Sequence, residues 1–80
     1  MIKYENEVRE ILENIIASTE LLKGVTAQTD LRTVGVNSLA FIKLIVSIEA
    51  KFNIEFPEEQ LSVSQTGTIE KICKIIASFD

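Results

Sequence analysis

Ser38 is the residue of this chain whose type and position first point to chemistry. It follows Asn37 and opens the segment "SLAFIKLIVSIEAKF", which contains no glycine and no proline and is the most apolar part of the sequence. A serine hydroxyl at such a place can be a catalytic nucleophile, a point of attachment for another group, or a residue of the first helical turn.

The sequence argues against catalysis by this chain alone. A serine nucleophile needs a general base, most often histidine, and the chain contains no histidine. The surrounding residues "VNSLA" lack the glycines of a nucleophile elbow, and Phe41 stands where an S-x-x-K motif would need lysine. The carboxylates follow no metal-ligand spacing, and a lone cysteine cannot by itself form a zinc site. We therefore predict no catalytic residue and no metal-binding residue.

Length and composition restrict the class of protein. Eighty residues predict one domain, covering residues 1–80, and the start at Met without a tag or linker predicts a complete, free-standing protein. The net charge of −4 argues against nucleic acid as a partner. The N-terminal "MIKYENEVREIL" has acids among its apolar residues, and every apolar run is too short to span a bilayer. These features predict a cytoplasmic protein with no membrane partner.

Apolar spacing predicts the first helix and the connection that follows it. Apolar residues recur at helical intervals, which predicts a helix from Lys3 to Ser18, supported by an i,i+4 pair between Glu5 and Arg9. The stripe consists of Val8, Ile11, Leu12, Ile15 and Ile16. The connection from Thr19 to Asn37 is long and lacks clear periodicity. Its apolar residues (Leu21, Leu22, Val25, Leu31 and Val34) predict that it packs onto the helices.

The second helix is predicted to follow Asn37, whose side chain can cap the first turn. The run "FIKLIVSI" is also compatible with a buried strand, but its continuation to Phe52 is too long for a typical strand. After a short extended link, Pro57 is predicted to occupy the first position of the short turn "PEEQL". Thr68 is predicted to cap the last helix, with Ile69, Ile72, Cys73 and Ile76 facing the core. The predicted fold class is all-α: a small up-and-down bundle of three main helices plus one short helix.

The second helix carries more apolar residues than a core requires. One stripe (Phe41, Leu44, Ile45, Ile48 and Phe52) is sufficient to meet the other helices. A second stripe of Leu39, Ile42 and Val46 projects from roughly the opposite side, interrupted by Lys43 and Ser47. In so small a protein this stripe must remain partly open, which is typical of a binding surface.

The segment "GVNSLAFIKLIVSIEAKFNIEFPEEQL" resembles the core of the acyl and peptidyl carrier protein family. The family pattern has a glycine, a gap, Asp, His or Asn before Ser-Leu, and then an apolar helix. An acid, an aromatic residue and an I-x-[IF]-P link follow. The matching residues are Glu49, Phe52, Ile54, Phe56 and Pro57, with Asp30-Leu31 upstream and Thr68-Ile69 downstream. The resemblance covers nearly the whole chain.

The resemblance implies that Ser38 is a substrate and not a catalyst. In this family a phosphopantetheinyl transferase attaches the 4′-phosphopantetheine of coenzyme A to the equivalent serine, here flanked by Asn37 and Leu39. Acyl or aminoacyl groups then ride on the terminal thiol as thioesters. The implied partners are a loading enzyme (a ligase, an adenylating enzyme or an acyltransferase) and downstream synthases or condensing enzymes. Docking is expected at Leu39, Ile42, Lys43 and Val46 of a monomeric protein.

Departures from the family pattern bear on the pathway. Many members carry Asp where this chain has Asn37, and the second helix holds Lys43 and Lys51 with Glu49 as its acid. These departures favour a specialised polyketide-like or nonribosomal-peptide-like pathway over the alternative, fatty-acid synthesis. Two hypotheses from other classes remain, a helical interaction protein that carries no cofactor and a structural homo-oligomer. Cys73 is interpreted as an inert core thiol.

Overall fold

The computed structural model describes residues 2–16 and 23–79. Within these residues the helices are α1 (Glu5–Ile15), α2 (Ser38–Phe52), α3 (Val63–Thr66) and α4 (Ile69–Ala77). Two short 3-10 turns lie at Leu31–Val34 and Glu58–Gln60, and no described residue is in a β-strand. The predicted all-α class, with three main helices and one short one, is confirmed. No helix among the described residues is long and apolar enough to cross a membrane.

Helix α1 is shorter than its apolar spacing predicts. The spacing predicts Lys3–Ser18, whereas the observed helix is Glu5–Ile15. Tyr4 has a left-handed backbone (φ 72°) and Ile16 is extended, so neither has helical dihedral angles. They form the last i to i−4 hydrogen bonds of the helix, in which the Tyr4 carbonyl accepts from Val8 and the Ile16 N–H donates to Leu12. Residues 17–22 lie outside the described part of the chain. The apolar stripe itself faces the core as predicted, but its last residue packs from beyond the helix end.

The core forms where α1 packs against α2 and α4. Each main helix contributes the apolar face that its spacing predicts, and the connection before α2 adds further side chains, as expected. The buried apolar residues are Val8, Leu12, Val25, Ala27, Leu31, Val36, Phe41, Leu44, Ile45, Ile48, Phe56, Ile69, Ile72, Cys73 and Ile76. The described part of the connection, residues 23–37, is thus a packed part of the domain. Leu21 and Leu22 fall outside the described residues.

Polar contacts fix that connection at both of its sides. On one side Arg9 donates from Nε to Glu5 (2.8 Å), the predicted pair, and from Nη2 to the carbonyl oxygen of Val25 (2.8 Å). On the other side the backbone N–H of Leu31 donates to the Gly67 carbonyl (2.8 Å). The N–H of Glu70 donates to the Ala27 carbonyl (2.9 Å). The segment before α2 is therefore held between α1 and the start of α4.

The segment after α2 differs from the prediction. Pro57 is extended (φ −58°, ψ 142°) and precedes the 3-10 turn Glu58–Gln60, instead of being its first residue. The short α-helix lies later, at Val63–Thr66, where four residues offer no periodic signal. Thr66 is buried, and its hydroxyl donates to Oε1 of Gln60 (3.0 Å), which joins the turn to α3. Thr68 caps α4 as predicted, accepting from the N–H of Lys71 (3.2 Å).

Gly67→Ala should destabilise the protein. A methyl group at this buried position would collide with the backbone carbonyl oxygen of Val63, which α3 holds in place. We expect a loss of about 1–3 kcal/mol, and the melting temperature should fall by roughly 4–8 °C for each kcal/mol in a domain of this size. Gly24→Ala is the matched control, because nothing lies within 4 Å of the added carbon. Equal melting of the two variants would contradict the close approach of α3 to Gly67.

Candidate functional site

Ser38 lies at the head of α2 with its side chain exposed. The capping role belongs to its neighbour, because Oδ1 of Asn37 accepts from the N–H of Ala40 (2.9 Å), as predicted. Among the described residues, the Ser38 hydroxyl takes part in none of the side-chain hydrogen bonds. A group could therefore be attached to this oxygen without breaking the cap or any contact of the fold.

The chain folds back immediately before Ser38. Gly35 has a left-handed backbone (φ 97°), a conformation that glycine adopts more easily than other residues. The turn lets the N–H of Val36 donate to the Leu31 carbonyl (3.1 Å), and the Val36 side chain is buried. The fold-back brings Arg32, from the preceding 3-10 turn, to the same surface as Ser38.

A groove of about 340 Å³ opens beside the hydroxyl, and we call it the Ser38 groove. It is lined by Arg32, Gly35, Val36, Asn37, Ser38 and Val63. Among the described residues of this lining, Arg32 is the charged one and none is a carboxylate. An exposed hydroxyl, an adjoining groove and a cation in its lining are compatible with a group joined through a phosphodiester, so the residues present fit 4′-phosphopantetheine.

The second apolar stripe of α2 is exposed, as predicted. The exposed fractions are 66% for Leu39, 41% for Ile42 and 57% for Val46, whereas Phe41 and Leu44 on the core side are fully buried. We call Leu39, Ile42 and Val46 the outer strip. It begins at the residue after Ser38 and runs along the helix.

The exposed charges of α2 are positive. Lys43 lies beside the outer strip and Lys51 near the end of the helix, and both side chains are exposed. Glu49 is half-buried, and its Oε2 accepts from the backbone N–H of Phe56 (2.8 Å). Because this carboxylate is committed to the link after α2, a partner approaching the helix meets cations and apolar side chains.

A second groove, of about 300 Å³, lies between the end of α1 and the first half of α2. Asn14 and Ile15 line it from α1, with Asn37, Leu39, Ala40 and Lys43 on the other side. Asn37 lines both grooves, so Arg32 lies on one side of this capping residue and Lys43 on the other. Ser38 itself is not part of this second lining.

The described residues support neither a metal site nor a reactive cysteine. The described residues contain no cluster of His, Cys, Asp or Glu able to hold a metal ion. Cys73 is buried, as predicted, and burial raises the pKa of its thiol to about 11. At neutral pH almost all of this thiol is protonated, and the thiolate is the reactive form.

The sequence places Asn37, Ser38, Leu39, Ile42, Lys43 and Val46 where the structure has them, on one exposed side of α2 and its cap. It does not identify Arg32 and Val63 as neighbours of Ser38. Arg32 belongs to a connection without periodicity, and Val63 comes from a distant part of the chain. The one local signal for Arg32 in the sequence is that a basic residue lies shortly before the Gly35 turn.

Comparisons with known proteins agree with this geometry. The family described as "Phosphopantetheine attachment site" matches residues 6–76. The chain is also similar to Aminoacyl carrier protein 1 of Bradyrhizobium diazoefficiens, with 22% identity over 71 residues, which cover 89% of this chain and 79% of that protein. No solved structure matches the chain.

Proposed function

Because the chain belongs to the family of proteins with a phosphopantetheine attachment site, we propose that it is a carrier whose arm is attached at Ser38. The observation that carries this proposal is the exposed Ser38 hydroxyl at the start of α2, free of hydrogen bonds within the described fold and next to the Ser38 groove. When bound, 4′-phosphopantetheine supplies a terminal thiol on which acyl or aminoacyl groups are held as thioesters.

In this proposal the residues of the chain present and position the arm. Asn37 fixes the first turn of α2, so that Ser38 is held at a constant place on the surface. A phosphate at this point also lies near the positive end of the helix dipole, which favours negative charge. The bond-making steps belong to the transferase and to the enzymes that load and unload the thiol. A cytoplasmic location and a monomeric state remain predictions.

Partner enzymes are proposed to dock on the outer strip. A few apolar anchors that lose their water at an interface usually dominate affinity, and Leu39 adjoins the attachment site. Lys43 within the same surface would then steer association through its charge. The transferase, the loading enzyme and the downstream enzymes would all meet this side of α2.

For the cargo and pathway we favour a specialised route over fatty-acid synthesis. The support is the positive exposed charge of α2, where carriers of fatty-acid synthesis are expected to be acidic. The name of the relative from Bradyrhizobium diazoefficiens supports aminoacyl groups as one class of cargo. Polyketide-like and nonribosomal-peptide-like pathways both fit these features.

The proposal is tested by incubating the protein with coenzyme A, Mg²⁺ and a broad-specificity phosphopantetheinyl transferase. Intact mass should increase by one phosphopantetheine, and fragmentation should locate the added mass at Ser38. An unchanged mass with several transferases would favour a helical interaction protein that carries no cofactor. Modification at another serine would place the attachment site elsewhere.

Val46→Ala and Lys43→Glu should slow loading without lowering stability. Val46 is exposed, so its truncation removes little buried surface, and Lys43 makes no ion pair among those of the described residues. We expect single-turnover loading of the modified protein by its loading enzyme to fall about tenfold, which corresponds to ~1.4 kcal/mol. Melting temperatures should stay close to that of the parent.

Lys74→Glu on α4 is the control for the charge change. Its amino group is exposed and forms only a long pair with Glu70 (3.9 Å), so the same change of two charge units occurs away from α2. Loading should be unaffected in this variant. If all three variants load like the parent, the docking surface lies elsewhere, around the connection before α2 or Glu58 and Glu59.

A further inference from the structure

The charged residue of the Ser38 groove is hydrogen-bonded to Asp30. Asp30 accepts from Nε of Arg32 (3.1 Å) and from Nη2 (2.6 Å), and its carboxylate also accepts from the backbone N–H of Arg32 (2.9 Å). These hydrogen bonds lower the pKa of the Asp30 carboxyl to about 2, so the pair stays ionised at neutral pH. The side chain of Arg32 is therefore oriented before any ligand arrives.

Asp30 does not use all the donors of this guanidinium. Arginine has five N–H donors, and its outer edge suits the oxygens of a phosphate. The hydrogen bonds to Asp30 involve Nε and Nη2, which leaves Nη1 for another acceptor. Half of the Arg32 side chain (51%) is exposed to solvent. An anion in the groove can thus be bound without breaking the pair with Asp30.

We infer that Arg32 is the phosphate-binding residue of this carrier: its guanidinium contacts the phosphodiester on Ser38 and retains the arm in the Ser38 groove. The inference rests on the proposed function, since it takes Ser38 as the point of attachment. Arg32 and Ser38 line one groove, and the same groove offers the partly exposed apolar side chain of Val63 to the part of the arm beyond the phosphate.

Lys43 is the competing cation, and the structure separates it from this role. It lines the second groove with Leu39 and Ala40, and Ser38 is not in that lining. Lys43 is also a single ammonium on a flexible stem, with no ion pair among the described residues to orient it, whereas Arg32 is a planar fork held by Asp30. Lys43→Gln is therefore the matched control for Arg32→Gln, since each removes one exposed positive charge near Ser38.

The test compares NMR spectra of the protein before and after arm addition, with the mass of each sample measured first. In the parent, modification should shift the side-chain Nε–H signal of Arg32 and the methyl signals of Val63. Higher salt should reduce these shifts, because the pair between Arg32 and the phosphate of the arm is exposed to solvent. In Arg32→Gln the methyl shifts should fall to about half or less, as expected for loss of an exposed ion pair. Lys43→Gln should keep them, and Arg32→Lys should give an intermediate value.

The possible failures are distinguishable. A parent that gains the arm but shows no change at Arg32 and Val63 overturns this inference and leaves the carrier proposal standing. The inference is likewise overturned if Arg32→Gln keeps the full methyl shifts, or if Lys43→Gln loses them. A parent that gains no arm overturns the carrier proposal and this inference together.

Discussion

Ser38→Ala should abolish modification by the transferase while leaving the fold unchanged. The substitution removes the hydroxyl oxygen to which the arm would be joined, so the intact mass should not increase at all. The free energy of unfolding should change by no more than about 0.5 kcal/mol, as for ordinary surface substitutions. The melting temperature should therefore stay close to that of the parent. The reason is that the Ser38 side chain is exposed and the cap of α2 is formed by Asn37.

Ser47→Ala provides the matched control for this experiment. Ser47 is also an exposed serine of α2, but it lies outside both grooves near the helix start. The Ser47→Ala variant should gain the arm to the same extent as the parent. A Ser38→Ala variant that still gains the mass of an arm would refute attachment at Ser38, and loss of modification in Ser47→Ala would point to a disturbed helix.

Phe41→Ala should remove a large part of the stability of the domain. Phe41 is fully buried between α2 and the rest of the core, and truncation of a buried phenylalanine costs about 3–5 kcal/mol. Small domains have about 5–15 kcal/mol in total. Urea unfolding followed by circular dichroism should therefore show a much lower midpoint, with the slope unchanged if the native state is still compact.

Ile42→Ala, at the next residue, is the control for the stability loss expected in Phe41→Ala. Ile42 is 41% exposed on the outer strip, so its truncation should cost well under half as much as that of Phe41. Equal losses in the two variants would mean that the outer strip is part of the core and that the proposed docking surface is wrong.

Local signals in the sequence explain why much of the site could be predicted. The caps at Asn37 and Thr68 are single residues whose side chains accept from the following turn, and the core faces repeat at helical spacing. The outer strip follows from the same spacing. Each of these features is determined by residues within a few positions of one another.

Features that depend on distant residues, or that leave no mark in the apolar pattern, could not be predicted in this way. The end of α1 at Ile15 comes from an extended Ile16 that carries the same apolar signal as the helix before it. Val63 reaches the Ser38 groove only through the packing of α3. Arg32 is oriented by a local pair with Asp30, but its closeness to Ser38 depends on the fold-back at Gly35.

The hydrogen bonds that hold the connection before α2 bear on when the site can form during synthesis. The backbone N–H of Leu31 donates a hydrogen bond to Gly67, and the Ala27 carbonyl accepts one from Glu70. Both partners follow far along the chain. The Ser38 groove likewise needs Val63 for one wall. A nascent chain that has already exposed Ser38 still lacks these partners, and contacts of long sequence separation close late in folding. A transferase that recognises the Ser38 groove is therefore expected to act on a chain in which α3 and the start of α4 have already folded.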